Sequence, residues 1–126
     1  LFMPKWIVRE ANIPGYSPAN HEGTVNKRLI SSETVGSKYV EVLLGTIESQ
    51  QGALPHAHPD IEQVVYMISG TADVELEGEK GSMVAGDCCY FPPYKKHVFT
   101  VTSKEPARIL VIYSPPYEEN PAKVIR

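Results

Sequence analysis

The chain has 126 residues and a net charge of −3, with 42 % apolar and 21 % charged residues. That length fits one domain with a single hydrophobic core. The mild charge argues against a nucleic-acid or anionic-membrane binder, and no apolar run approaches the roughly 18 residues of a spanning helix.

The opening LFMPKWIVRE lacks the basic-then-apolar layout of a secretory leader. Leu1 and Phe2 stand ahead of a methionine and are read as an expression remnant; the chain is expected to be cytoplasmic. Residues 1–26 are irregular, broken by Pro4, Pro14, Gly15, Pro18 and Gly23. They are expected to form an arm on the body, anchored by Trp6 and Ile7. Lys27 to Ile30 is a short strand.

From residue 38 the texture changes. KYVEVLLGTIES is rich in β-branched and aromatic residues, which suit a pleated surface. EQVVYMIS (62–69) is a strand. TADVELEG alternates with period two, setting Ala72, Val74 and Leu76 on one face and Asp73, Glu75 and Glu77 on the other. Gly78 to Gly81 signals a hairpin. SMVAGDCCYF holds two short strands joined at Gly86-Asp87 and stopped by Pro92-Pro93. HVFTVTS and ARILVIYS are two more. Residues 38–113 thus make a barrel core, and the proline-rich tail, 114–126, runs extended over the surface. About eight to ten short strands without a long helical period define an all-β sandwich or barrel. Cys88 and Cys89 are adjacent, so in a strand they face opposite ways and read as two small apolar residues rather than a disulfide. Their scarcity fits a reducing compartment.

The chemistry concentrates in LPHAHPDIEQ (54–63). Residues i and i+2 of a strand share a face, so His56 and His58 point the same way. Pro55 and Pro59 favour extended backbone before them. Pro59-Asp60 then reverses the chain, and Glu62 returns on the neighbouring strand of one hairpin, facing the same interior. His97 opens the strand HVFTV after the turn at Pro92–Lys96 and would lie across from that hairpin. Three imidazoles and a carboxylate suit one divalent transition metal: Fe, Mn, Ni, Co, Cu or Zn. Four protein ligands leave about two octahedral positions open, as catalysis requires and a closed structural site does not.

These residues carry a resemblance. His56-Ala-His58-Pro-Asp-Ile-Glu62, followed by Gly70, resembles the first motif of the cupin family: HxH, three or four residues, Glu, then Gly. Gly86-Asp-Cys-Cys-Tyr-Phe-Pro92-Pro-Tyr-Lys-Lys-His97 resembles its second. The resemblance spans roughly residues 38–113. It implies a double-stranded β-helix, a jelly-roll-like barrel with the metal inside on His56, His58, Glu62 and His97, and a homodimer. Two features depart from the pattern. Gly70 comes one residue later than in its tightest form. Tyr94 stands where the family has glycine, so the turn there is expected to avoid left-handed backbone.

Strand parity extends the site. With Glu62 inward, Val64, Tyr66 and Ile68 follow it; with His97 inward, so do Phe99 and Val101. They line an apolar pocket or serve as plain core, and the Tyr66 phenol is the candidate catalytic group. By the same parity Gln63, Val65 and Met67 face outward and need cover from the arm or a second subunit. His21 reads as a surface histidine, or as one carried over the barrel mouth by the arm. Arg28 and Gln51 are possible partners of a substrate carboxylate with no spacing to place them. Asp73, Glu75, Glu77 and Glu79 form a solvated face, as do Lys95 and Lys96 in their turn. Two function classes follow: a metal-dependent enzyme on a small organic molecule (oxygenase, isomerase, or lyase or decarboxylase), or a non-catalytic binding or sensing module. The fold alone does not choose between them.

Overall fold

The computed structural model describes residues 4–126. The expectation for Leu1 and Phe2 lies outside them. Nine strands form among the described residues: β1 (Thr24–Ile30), β2 (Glu41–Ile47), β3 (Gly52–His56), β4 (Glu62–Ser69), β5 (Ala72–Leu76), β6 (Glu79–Met83), β7 (Cys88–Phe91), β8 (His97–Val101) and β9 (Ala107–Ser114). They make two antiparallel sheets, ordered β1-β2-β9-β4-β7 and β3-β8-β5-β6. Only β1–β2 and β5–β6 are hairpins; every other connection passes from one sheet to the other. This is the winding of a double-stranded β-helix.

Local chemistry sets the crossings. The β5–β6 loop is just Glu77-Gly78, both at positive φ (48° and 83°), the type I′ geometry that suits strand twist. Gly81 sits inside β6 opposite Val74, not in the loop. Between β4 and β5, Gly70 has φ 89°, and a Cβ there would lie 2.8 Å from the Ala107 Cβ. Only glycine fits that close approach. Tyr94 corrects the expectation for its turn. It adopts left-handed backbone, φ 66°, and is held there by two bonds: its hydroxyl donates to Asp60 Oδ1 (2.8 Å) and its N–H to the His58 carbonyl (2.9 Å).

The core lies between the facing sheets and includes Leu43, Val65, Met67, Phe99, Val101 and Val111. Here the parity of β4 is opposite to the expected one. Val65 and Met67 are buried inside, while Tyr66 is 41 % exposed, Ile68 38 % exposed, and Val64 half-buried on the outer face. The strand EQVVYMIS is apolar on both faces, so its alternation cannot tell inside from outside. On β8, whose polar partners are clear, Phe99 and Val101 do face inward.

The arm also differs from expectation. Trp6 is 75 % exposed and Ile7 is exposed too, so neither anchors it. Polar contacts do. The Glu10 carboxylate takes Lys27 Nζ and Arg108 Nη2, each at 2.9 Å, and Tyr16 exchanges backbone bonds with Asn26. The arm ends at Gly23, where β1 begins. The tail is not simply laid on the surface. Tyr117 is buried, Pro121–Lys123 form a 3-10 turn capped by Asn120, and Ile125 exchanges two 2.7 Å backbone bonds with Ala57.

Candidate metal centre

His56 ends β3 and His97 begins β8. The two strands are neighbours, and these residues are Cα partners across the ladder. His58 follows two residues on, beyond the Ala57–Ile125 bridge. β3 and β4 lie in different sheets, so the expected single hairpin does not exist; the histidine pair is instead completed sideways, by β8. All three imidazoles are buried, at 2–3 % exposure. One ring nitrogen from each falls within 4.8 Å of the others.

The other ring nitrogen of each is occupied. His56 Nδ1–H donates to the Leu54 carbonyl and His58 Nδ1–H to the Lys123 carbonyl, both at 2.8 Å. His97 Nδ1–H donates to the Lys95 carbonyl at 3.3 Å. A carbonyl can only accept, so each Nδ1 carries the proton and each Nε2 keeps a lone pair. His58 Nε2 and His97 Nε2 are buried without any hydrogen-bond partner among the described residues. Such orphans are rare and need a cause; a cation bound between them supplies one, and backbone-tethered Nδ1 is how a metal-binding histidine is oriented. Burial, with mutual repulsion, pushes the His56 pKa down to about 3. Burial likewise lowers His97 to about 4, and His58 below its usual range. At neutral pH all three are uncharged, as ligands must be.

Glu62 does not join them. It lies exposed on the outer face of β4, and the carboxylate expectation is therefore corrected. The next residue, Gln63, is the inward one: 7 % exposed, with Oε1 buried and unpartnered. It lines the same cavity as His56 and His97. Gln63 lies five residues beyond His58 with four between them, within the motif's three-or-four spacing, and from it Gly70 falls at the tighter interval. The spacing allowed either residue; the structure turns Gln63, not Glu62, toward the cavity.

The cavity offers about 50 Å³, room for a few waters. Its walls are largely apolar, with Leu43, Val65, Phe91 and Phe99 among them. Phe91 stacks on the His97 ring at 4.1 Å, nearly parallel. Tyr113 meets the edge of His58 at 5.4 Å, and Tyr117, from the tail, lies 4.5 Å from it. Of the residues expected to line the pocket, Phe99 does so; Val64, Tyr66 and Ile68 face outward, which removes Tyr66 as a catalytic candidate. Val101 is buried in the core. His21 takes the second of its two expected places. Its ring is 5.7 Å from His56, and it lines both the cavity and an open groove outside with Gln51 and Leu54. Arg28 instead pairs with buried Glu41 (Nε to Oε2, 3.5 Å) and covers the Tyr16 ring. The acidic row at 73–79 brings no metal-holding cluster together; among the described residues only the three histidines do. Cys88 and Cys89 are free, and Cys88 is exposed rather than buried.

Comparison with known proteins gives a consistent picture. A family model described as the cupin domain matches residues 43–113. The polyketide synthase CurC of Streptomyces cyaneus is 26 % identical over 113 residues, covering 90 % of this chain and 73 % of its own length. Among solved structures, KdgF from Halomonas sp. superposes with a TM-score of 0.78 at 18 % identity, covering 90 % of this chain and 96 % of that one. The polyketide cyclase RemF from Streptomyces resistomycificus does so with 0.75 at 18 % identity, covering 91 % and 81 %. At such identities the structural likeness carries the fold.

Proposed function

This chain belongs to the cupin family, and from that premise we propose that it is a metal-dependent enzyme acting on a small organic molecule. The observation that carries the reading is the set of buried, unpartnered acceptor atoms: Nε2 of His58 and His97 and Oε1 of Gln63, beside neutral His56. His56, His58, His97 and Gln63 would hold one divalent transition metal. When bound, it polarises an oxygen donor of the substrate as a Lewis acid.

Of the reaction classes, we favour proton-transfer chemistry on a carbonyl compound, of the isomerase or cyclase kind. The two polyketide-related proteins above support an enolisable polycarbonyl as the first substrate class to test. The chain's own residues suit that task. The apolar walls exclude water from the reacting end. His21 donates its Nδ1–H to the Ala19 carbonyl at 2.8 Å, which leaves Nε2 free to accept a proton at the cavity mouth. A non-catalytic sensing role is the second reading, and the small cavity favours it.

Metal analysis of chelator-free protein, followed by assay of polycarbonyl substrates, tests the proposal. We expect about one transition metal per chain and turnover that His56→Ala abolishes. Stoichiometric metal with a retained, unmodified small molecule in native mass spectrometry, and no turnover, would favour sensing. We also propose that the protein is a homodimer, on the strength of the apolar outer face of β4 and β7, and that it works in the cytoplasm, a reducing compartment that suits its two free cysteines.

A further inference from the structure

We infer that Gln63 sets the charge of the guest: the centre takes an oxygen anion, such as an enolate, phenolate or carboxylate, in preference to a neutral molecule. This rests on the metal-site reading above and adds to it a substrate class.

The reasoning is one of charge. The inward donors are three neutral imidazoles and one amide. None of them cancels any part of a divalent ion's charge. No residue lining the cavity is Asp, Glu, Lys or Arg. The carboxylate buried in the same sheet, Glu41, is already engaged by Arg28 at 3.5 Å and by the Glu118 N–H at 3.2 Å. A buried charge without a partner is costly in a low-dielectric interior, and the bound ion dominates the local field. The remaining sources of negative charge are the guest and hydroxide formed from bound water, which compete for the same open positions. Had Glu62 been the inward residue, one charge would have been neutralised by the protein and the preference would be weaker. The guest's other end would meet Phe99 and Ile109, with Thr24 Oγ1, buried and unpartnered, on the same lining as Asn26 and Tyr113.

The test uses the full chain loaded with Co(II), whose visible absorption reports on the open positions, and a size-matched probe pair of acetate and acetamide. At pH 7 acetate should perturb the spectrum with at least tenfold tighter binding than acetamide. Gln63→Glu should retain Co(II) and bind acetate at least tenfold more weakly than the unsubstituted chain. Equal binding of the two probes, or unchanged acetate affinity in a Co(II)-loaded Gln63→Glu chain, overturns the inference and leaves the metal site standing. If the unsubstituted chain takes up no Co(II), the metal-site reading itself falls and takes this inference with it. Should Gln63→Glu fail to fold, as circular dichroism would show, the acetate-to-acetamide ratio on the unsubstituted chain decides alone.

Discussion

Three imidazoles packed around one buried point must stay neutral for the fold to survive without a cation. Their pKa values, about 3 for His56, about 4 for His97 and lowered for His58, lie below the 6.5 of an unfolded chain. Between those limits the unfolded state binds more protons, so stability is full above about pH 6.5 and drains away as the pH falls. At pH 5 the loss is about 2 kcal/mol each for His56 and His97. Calorimetry of metal-free protein should therefore show a markedly lower melting temperature at pH 5 than at pH 7.5, and bound metal should not narrow the gap, because protons compete with it for the same nitrogens. The fourth donor makes a separate prediction. Gln63→Leu should weaken Zn(II) binding about tenfold or more, whereas Glu62→Gln, on the outer face, should leave it within about twofold; competition with a chelating dye measures both. The two outcomes also show where reading by residue type stops. His56, His58 and His97 were legible because HxH spacing and a strand-opening histidine carry their own geometry. The fourth position was not, since both faces of β4 are apolar and only the register with β7 and β9 decides which one turns inward.

At the scale of elements, the strands were legible and the ends were not. Alternation and β-branched runs located β4, β5, β8 and β9 with little error, because each is half-buried along its own length. The arm and tail have no such period. Their order comes from partners far away in sequence: Tyr16 Oη–H with Glu119 (2.9 Å), Glu118 N–H with Glu41, and the Lys123 carbonyl with His58. The last of these orients a ligand. Deleting residues 123–126 would remove the acceptor of His58 Nδ1–H, together with the Ile125 bonds to Ala57 and the Lys123 Nζ bond to Pro116, while leaving Tyr117 in the chain. We expect metal affinity to fall by about 10- to 100-fold, the usual effect of losing such a partner, with far-ultraviolet circular dichroism unchanged. Isothermal titration checks it; unaltered affinity would mean that the imidazole is oriented by packing against Tyr113 and Tyr117 alone.

At the scale of the whole molecule, the outer face of the five-stranded sheet is unevenly covered. The arm reaches β1 and β9 through Glu10, but Tyr66 and Ile68 on β4 and Tyr90 on β7 stay exposed. The side chains pointing outward are not the expected Val65 and Met67, yet the row that replaces them is also apolar. These exposed apolar side chains are what the proposed dimer would cover. Tyr66→Glu should convert a dimer to a monomer in sedimentation velocity while leaving metal content intact. The interleaved course of the chain carries a last consequence. β3, which bears His56, has β8 as its neighbour, and β8 emerges from the ribosome some forty residues later. In that interval the first two imidazoles have no third partner, so the proposed site has its full set of histidine donors only after β8 has paired with β3. Any ion the proposed site holds is therefore taken up late in folding or after it, and its identity follows the ions on hand at that stage as well as general affinity order.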